Sequence, residues 1–126
     1  VIKPKKREHY KLFYVGINLE KIQNAKMRYS ELIKDLNEKD LIDIYGPNKV
    51  FKKKDLGKGF QCYKGEIPFD GKSILTKINK AGICLALNSP VHNANHTVSN
   101  RTYEAAAAGA VIISDDNPYV RIRFFT

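Results

Sequence analysis

Six consecutive residues, Ser99-Asn-Arg-Thr-Tyr-Glu104, stand directly before a run of four alanines, Ala105 to Ala108. Alanine favours helix, and Ser99 or Asn100 suits its cap. A helix start offers N–H groups without intrahelical partners and the positive end of the helix dipole, a combination that suits a diphosphate across Ser99, Asn100, Arg101, Thr102 and Tyr103. Arg101 adds a permanent charge whose planar fork matches phosphate oxygens, the plain alternative being a surface ion pair. Glu104 is a lone carboxylate one turn into the helix. Such a carboxylate accepts two ribose hydroxyls in other nucleotide-binding α/β folds, although a helix dipole also favours an acid there for purely structural reasons. His92 and His96, in the preceding loop, can contact phosphate or sugar, while isolated loop histidines are ordinarily just exposed. With no third His or Cys beside them in that loop and no suitably spaced carboxylate, no metal site is expected.

These residues need a scaffold, and the rest of the chain reads as one. Lys11-Leu-Phe-Tyr-Val-Gly16 is a short buried strand stopped by glycine. Ala25, Tyr29, Leu32, Ile33 and Leu36 recur at i, i+4, i+7, i+8 and i+11, which predicts a helix over residues 25–38 with those side chains on one face. Residues 41–45 form a second strand closed by Gly46-Pro47, and residues 60–63 a third that ends at Gly65. Pro68, Asp70 and Gly71 mark the turn into a helix carrying Ile74, Leu75, Ile78 and Ala81, for which Gly82 is the natural stop. Residues 83–87 and 111–114 supply strands four and five on either side of the alanine helix, which Gly109 ends.

Strand and helix alternate, and the strands are apolar runs without clean two-residue alternation, as in strands covered on both faces. The predicted fold is α/β, a Rossmann-like, doubly wound parallel sheet. Ligands of such sheets sit beyond the carboxyl ends of the strands. Those ends carry Gly16-Ile17-Asn18, Gly46-Pro47, Gly65-Glu66-Ile67-Pro68 and the segment 88–101, with glycines that let a ligand come close to the backbone. Four alanines in the third helix allow it to pack tightly on the sheet, bringing its N-terminus near the strand ends.

A chain of 126 residues that is 43% hydrophobic has room for one core, so a single domain is expected, with residues 1–10 as a polar lead-in. No apolar run approaches the roughly 20 residues of a membrane span, and no signal-peptide pattern opens the sequence, so a soluble, cytoplasmic domain is expected. Cys62 and Cys84 read as reduced packing residues, with a disulfide as the alternative. The net charge of +9 is concentrated in residues 1–54, which hold 14 Lys or Arg against 7 Asp or Glu. That excess favours an anionic partner: a phosphorylated ligand, an acidic membrane face or a nucleic acid.

Phe13-Tyr-Val-Gly16, Ile44-Tyr-Gly46, Tyr63-Lys-Gly-Glu-Ile-Pro68 and, above all, the segment from Ser99 to Asp115 together resemble the C-terminal, donor-binding half of GT-B glycosyltransferases, in the group-one class of bacterial polysaccharide enzymes. The resemblance covers nearly the whole chain. It implies that Glu104 binds the ribose of a nucleotide-diphosphate sugar and that Ser99 to Tyr103 hold the diphosphate. Gly65, Glu66, Ile67 and Pro68 would border the base, and Gly16 and Asn18 the phosphates. It further implies that an N-terminal acceptor-binding domain, which usually supplies the general base, belongs to the parent enzyme outside this chain, and that transfer needs neither metal nor cofactor. Many relatives carry a second glutamate near the donor sugar where this sequence has His96.

Two other readings compete. One is a non-catalytic basic module for nucleotides or nucleic acid, which the lack of an aromatic-basic RNA-binding motif disfavours. The other is a nucleotide-sugar epimerase on the same fold, since fold does not fix chemistry.

Overall fold

The computed structural model describes residues 11–16, 30–47, 60–88, 98–117 and 120. Within them run β1 (Lys11–Val15), α1 (Ser30–Glu38), β2 (Ile42–Tyr45), β3 (Tyr63–Gly65), α2 (Ser73–Ala81), β4 (Gly82–Ala86), α3 (Asn100–Ala107) and β5 (Val111–Ser114). The strands make one sheet in the order β3-β2-β1-β4-β5, and every described pairing is parallel. Chain order therefore grows outward from β1 to β3 on one side, then crosses back to β4 and β5 on the other. This is the predicted Rossmann-like arrangement, and its direction reverses between β1 and β4.

Alternating side chains divide the core between the two faces. On one, Ile42 and Ile44 of β2 and Leu85 of β4 pack with Ile33 of α1, Phe60 and Cys62, joined by Leu12, Tyr14 and Leu36. On the other, Phe13 and Cys84 pack with Ile78 of α2, with Ala105 of α3 and with Ala108, which follows α3. Cys62 and Cys84 are thus free thiols on opposite faces of the sheet.

Each helix is bounded by a specific device. Asp40, at φ 55°, takes the left-handed turn after α1, and its carboxylate meets Lys11 Nζ at 3.0 Å. Before α2, Asp70 accepts hydrogen bonds from Lys72 N at 2.9 Å, Ser73 N at 2.8 Å and Ser73 Oγ at 2.7 Å. Gly82, at φ 81°, closes α2 by donating its N–H to Ile78 O, a conformation that glycine adopts without steric penalty.

Several boundaries differ from the sequence expectation. β3 starts at Tyr63, because residues 60–62 form a tight turn in which Tyr63 N donates to Phe60 O at 3.0 Å. The turn drops Phe60 and Cys62 into the α1-side core, so their apolar character reflects burial rather than strand. Leu32 is 42% exposed beside a fully buried Ile33; neighbouring helical positions point about 100° apart, which puts Leu32 at the rim of the apolar stripe. β5 is not covered on both faces: Val111 and Ile113 are 63% and 44% exposed along the sheet's outer edge. Residues 25–29 and the tail after residue 120 lie outside the described residues.

Candidate functional site

All five strands run the same way, so their carboxyl ends share one edge of the sheet. Gly16 at the end of β1 donates its N–H to Tyr45 O at 3.2 Å, and Gly46 at the end of β2 donates to Gly65 O at 3.1 Å. The Tyr63 hydroxyl donates to Gly46 O at 2.6 Å. The three glycines are therefore stitched into one continuous ledge. Gly46 is buried with both backbone polar groups engaged, so it supports the ledge from beneath. Gly65 differs in being open above: a Cβ built there would meet nothing within 4 Å, while its φ of 111°, like the 148° of Gly46, favours glycine. Glu66 and Pro68 follow it exposed, while Ile67 packs against the α2-side core.

Below the ledge, the Phe13 and Tyr45 rings stack with centroids 5.2 Å apart, and Lys77 Nζ lies 5.2 Å from the Tyr45 centroid. Burial, and behind it the charge of Asp43, pushes the Tyr45 hydroxyl above its usual range.

On the other side of the reversal point stands α3. Its start is tied to β4 and β5 through Asn88, which is 0% exposed. Asn88 N and Nδ2 donate to Asp115 Oδ1 at 3.0 and 2.9 Å. Asn88 Oδ1 accepts from Ser99 N at 2.9 Å. Ser99 caps the helix as expected, its Oγ accepting from Arg101 N at 3.0 Å. At the far end, Asn79 Nδ2 of α2 donates to Ala108 O at 3.0 Å.

This wiring corrects one sequence expectation. The helix-start amides are predicted to face a ligand, yet those of Ser99, Arg101 and Thr102 already bond Asn88 Oδ1, Ser99 Oγ and Ser99 O respectively. Short polar side chains beside a helix start satisfy its donors locally, which propensity reasoning cannot resolve residue by residue. The charges of the motif stay accessible. Arg101 Nη1 meets Glu104 Oε1 at 3.1 Å, and both side chains are 26% exposed. Asn100 and Tyr103 are exposed, whereas Thr102 is buried and its hydroxyl has no hydrogen-bond partner among the described residues.

The fold thus gathers residues 99–104 with Asn88 and Asp115 beside the reversal point, and Gly16 on its other flank. Gly65 to Pro68 lie three strands from β4, roughly 14 Å at the usual spacing, so only an extended ligand could touch both regions. Asn18, His92 and His96 lie outside the described residues. Among those residues, no three His, Cys, Asp or Glu side chains form a group able to hold a metal ion, and no helix is long and apolar enough to cross a membrane.

A family model described as glycosyl transferase-like matches residues 26–126. The chain belongs to that family. The matched span begins ahead of α1 and includes β2 to β5 and the whole of α3, leaving β1 and Gly16 in front of it. Comparison with curated proteins and with solved structures gives no match.

Sequence reasoning about this glycosyl transferase-like chain missed Asn88 and Asp115 as structural partners. The available signal was positional: each is a polar residue that follows an apolar strand, Asn88 after β4 and Asp115 after β5, and these strands are neighbours.

Proposed function

We propose that the chain is the donor-binding part of a glycosyltransferase and holds a nucleotide-diphosphate sugar across the carboxyl edge of the sheet. The observation that carries this reading is the Arg101–Glu104 pair, partly exposed at the start of a helix anchored beside the reversal point, within the family match. One Arg101 contact goes to Glu104, and a guanidinium has five donors in all, leaving others for phosphate oxygens. Glu104 has a second carboxylate oxygen, and ribose hydroxyls would bond the acid in place of, or beside, Arg101.

In this reading the donor's base lies toward Gly65 to Pro68, the phosphates lie between Gly16 and α3, and the sugar projects to an acceptor hydroxyl. As the glycosidic bond breaks, negative charge grows on the leaving diphosphate. Arg101 and the positive end of the α3 dipole stabilise that charge without a metal. The general base comes from the acceptor-binding domain of the parent enzyme. Polysaccharide or glycolipid synthesis at a cytoplasmic membrane face fits the basic first half, and liposome pelleting that is indifferent to anionic lipid would remove that element.

The central test is calorimetry with UDP and GDP. The Arg101→Ala, Glu104→Gln double variant should bind whichever nucleotide the parent chain binds at least about tenfold more weakly, since each lost charged hydrogen bond is worth roughly 1.5–3 kcal/mol. Its melting temperature should barely move, as a partly exposed i,i+3 pair contributes only about 0.2–0.5 kcal/mol to stability. Full affinity in the double variant would sink the assignment.

A further inference from the structure

We infer that Asn88 is a positioning residue for donor binding: it sets where α3 begins relative to the sheet, and so where Arg101 and Glu104 are presented. This rests on the donor-binding reading and adds a residue to it. Asn88 follows β4, is 0% exposed, and commits the two ends of its amide to different elements. Nδ2 donates to Asp115 Oδ1 at 2.9 Å, beyond β5, and Oδ1 accepts from Ser99 N at 2.9 Å, ahead of α3. Its own backbone N–H donates to the same Asp115 oxygen at 3.0 Å.

The pattern dictates the residue type. The side chain must donate to a carboxylate and accept from an amide at the same time, which among side chains of this length only asparagine does at neutral pH. Aspartate in its place would accept from Ser99 N but turn a second carboxylate toward Asp115, and alanine would take the acceptor from Ser99 N and the side-chain donor from Asp115. Asp115 in turn fixes which way the amide points. Ser99 is both the residue held by Asn88 and the residue whose hydroxyl caps α3, accepting from Arg101 N at 3.0 Å. A shift at Asn88 therefore passes through two hydrogen bonds to the backbone of Arg101.

The arrangement allows a test by exchange. Asn88→Asp should lower affinity for UDP or GDP about tenfold or more, consistent with the loss of a buried hydrogen bond to a charged group. In the double variant Asn88→Asp, Asp115→Asn the carboxylate–carboxylate repulsion is gone and the carboxylate at position 88 still accepts from Ser99 N, but the amide at position 115 cannot replace the single oxygen that takes both donors of residue 88, so affinity should recover in part, to clearly above that of Asn88→Asp. Asn37→Ala, which removes the 2.9 Å bond from Cys62 N on the opposite face of the sheet, is the control: it should lower the melting temperature without changing nucleotide affinity. Parent-like affinity in Asn88→Asp, or a double variant no better than the single one, overturns the inference.

If Asn88→Asp does not fold, amide hydrogen exchange of the parent chain decides. Ser99 N–H should exchange much more slowly than a solvent-exposed amide, and exchange at the exposed rate overturns the inference. A parent chain that binds neither nucleotide, with Ser99 protected, rejects the donor-binding reading while leaving the tether in place.

Discussion

α1 and α3 cover opposite faces of the same sheet, and what holds them there differs. α1 contributes a fully buried Ile33 and a partly buried Leu36 to an aliphatic core, and its one buried amide, Asn37, bonds the turn ahead of β3. α3 and the residue that closes it contribute only small side chains to the opposite core, Ala105 and Ala108, and the helix is held at its two ends by Asn88 and Asn79. Apolar contact is non-directional and tolerates a small slide along the helix axis, whereas a hydrogen bond of about 2.9 Å does not. The helix that carries Arg101 and Glu104, and that in the proposed function presents them to a donor, is the one fixed by directional bonds. The helix with only a core to fill relies mainly on bulk.

The comparison can be broken by showing that bulk matters equally on both faces. Ile33→Ala should cost the most stability, about 2–5 kcal/mol in urea unfolding, while the fraction that remains folded binds UDP or GDP as before. A matching loss of affinity would mean that the α1 face also sets the site. Ala105→Leu inserts bulk between α3 and the sheet at a position with no exposure and should cost about 1–3 kcal/mol. It should also weaken nucleotide binding, because the helix must lift, and unchanged affinity would sever α3 placement from function. Ser99→Ala removes the cap and should cost about 1 kcal/mol by thermal unfolding, with faster amide exchange at Arg101.

The smallest expected effect is on acid stability. Hydrogen bonds from Ser73 and Lys72 hold Asp70 down at about 2, against an ordinary value of 3.8. Because the folded-state value is the lower one, this stabilisation is complete above the ordinary value and fades as pH falls from near 4 toward 2. Asp70→Asn should flatten that part of the stability profile measured by urea unfolding, and an unchanged slope would show that the α2 cap does not contribute to it.

The parallel, doubly wound sheet was legible because each strand is a short apolar run ended by a glycine or a polar residue, and helical patterns separate most of the strands along the chain. The cap at Ser99 and the stop at Gly82 were legible for the same reason: their residue types have strong local preferences that tertiary contacts did not override. Phe60 and Cys62 misled because hydrophobicity reports burial, and a buried turn satisfies it as well as a strand does. Val111 and Ile113 misled for the converse reason, since an edge strand can expose apolar side chains that its sequence would suit to an interior. At the site, Arg101 and Glu104 stood out by charge, but their contact depends on rotamers within one helical turn. Asn88 could not be paired with Asp115 and Ser99 from sequence, because the contacts span 27 and 11 residues and arise only once β4 and β5 lie side by side.

The two thiols supply internal reporters of how this sheet comes apart. Cys84, with no exposure, is pushed up to about 12 by burial, and Cys62 is also raised, burial again being the main cause. Neither forms the reactive thiolate readily while its layer is closed. A thiol-specific reagent would consequently label Cys62 when the α1 layer opens and Cys84 when the α2–α3 layer opens, so the order of labelling reads out which side of the molecule yields first.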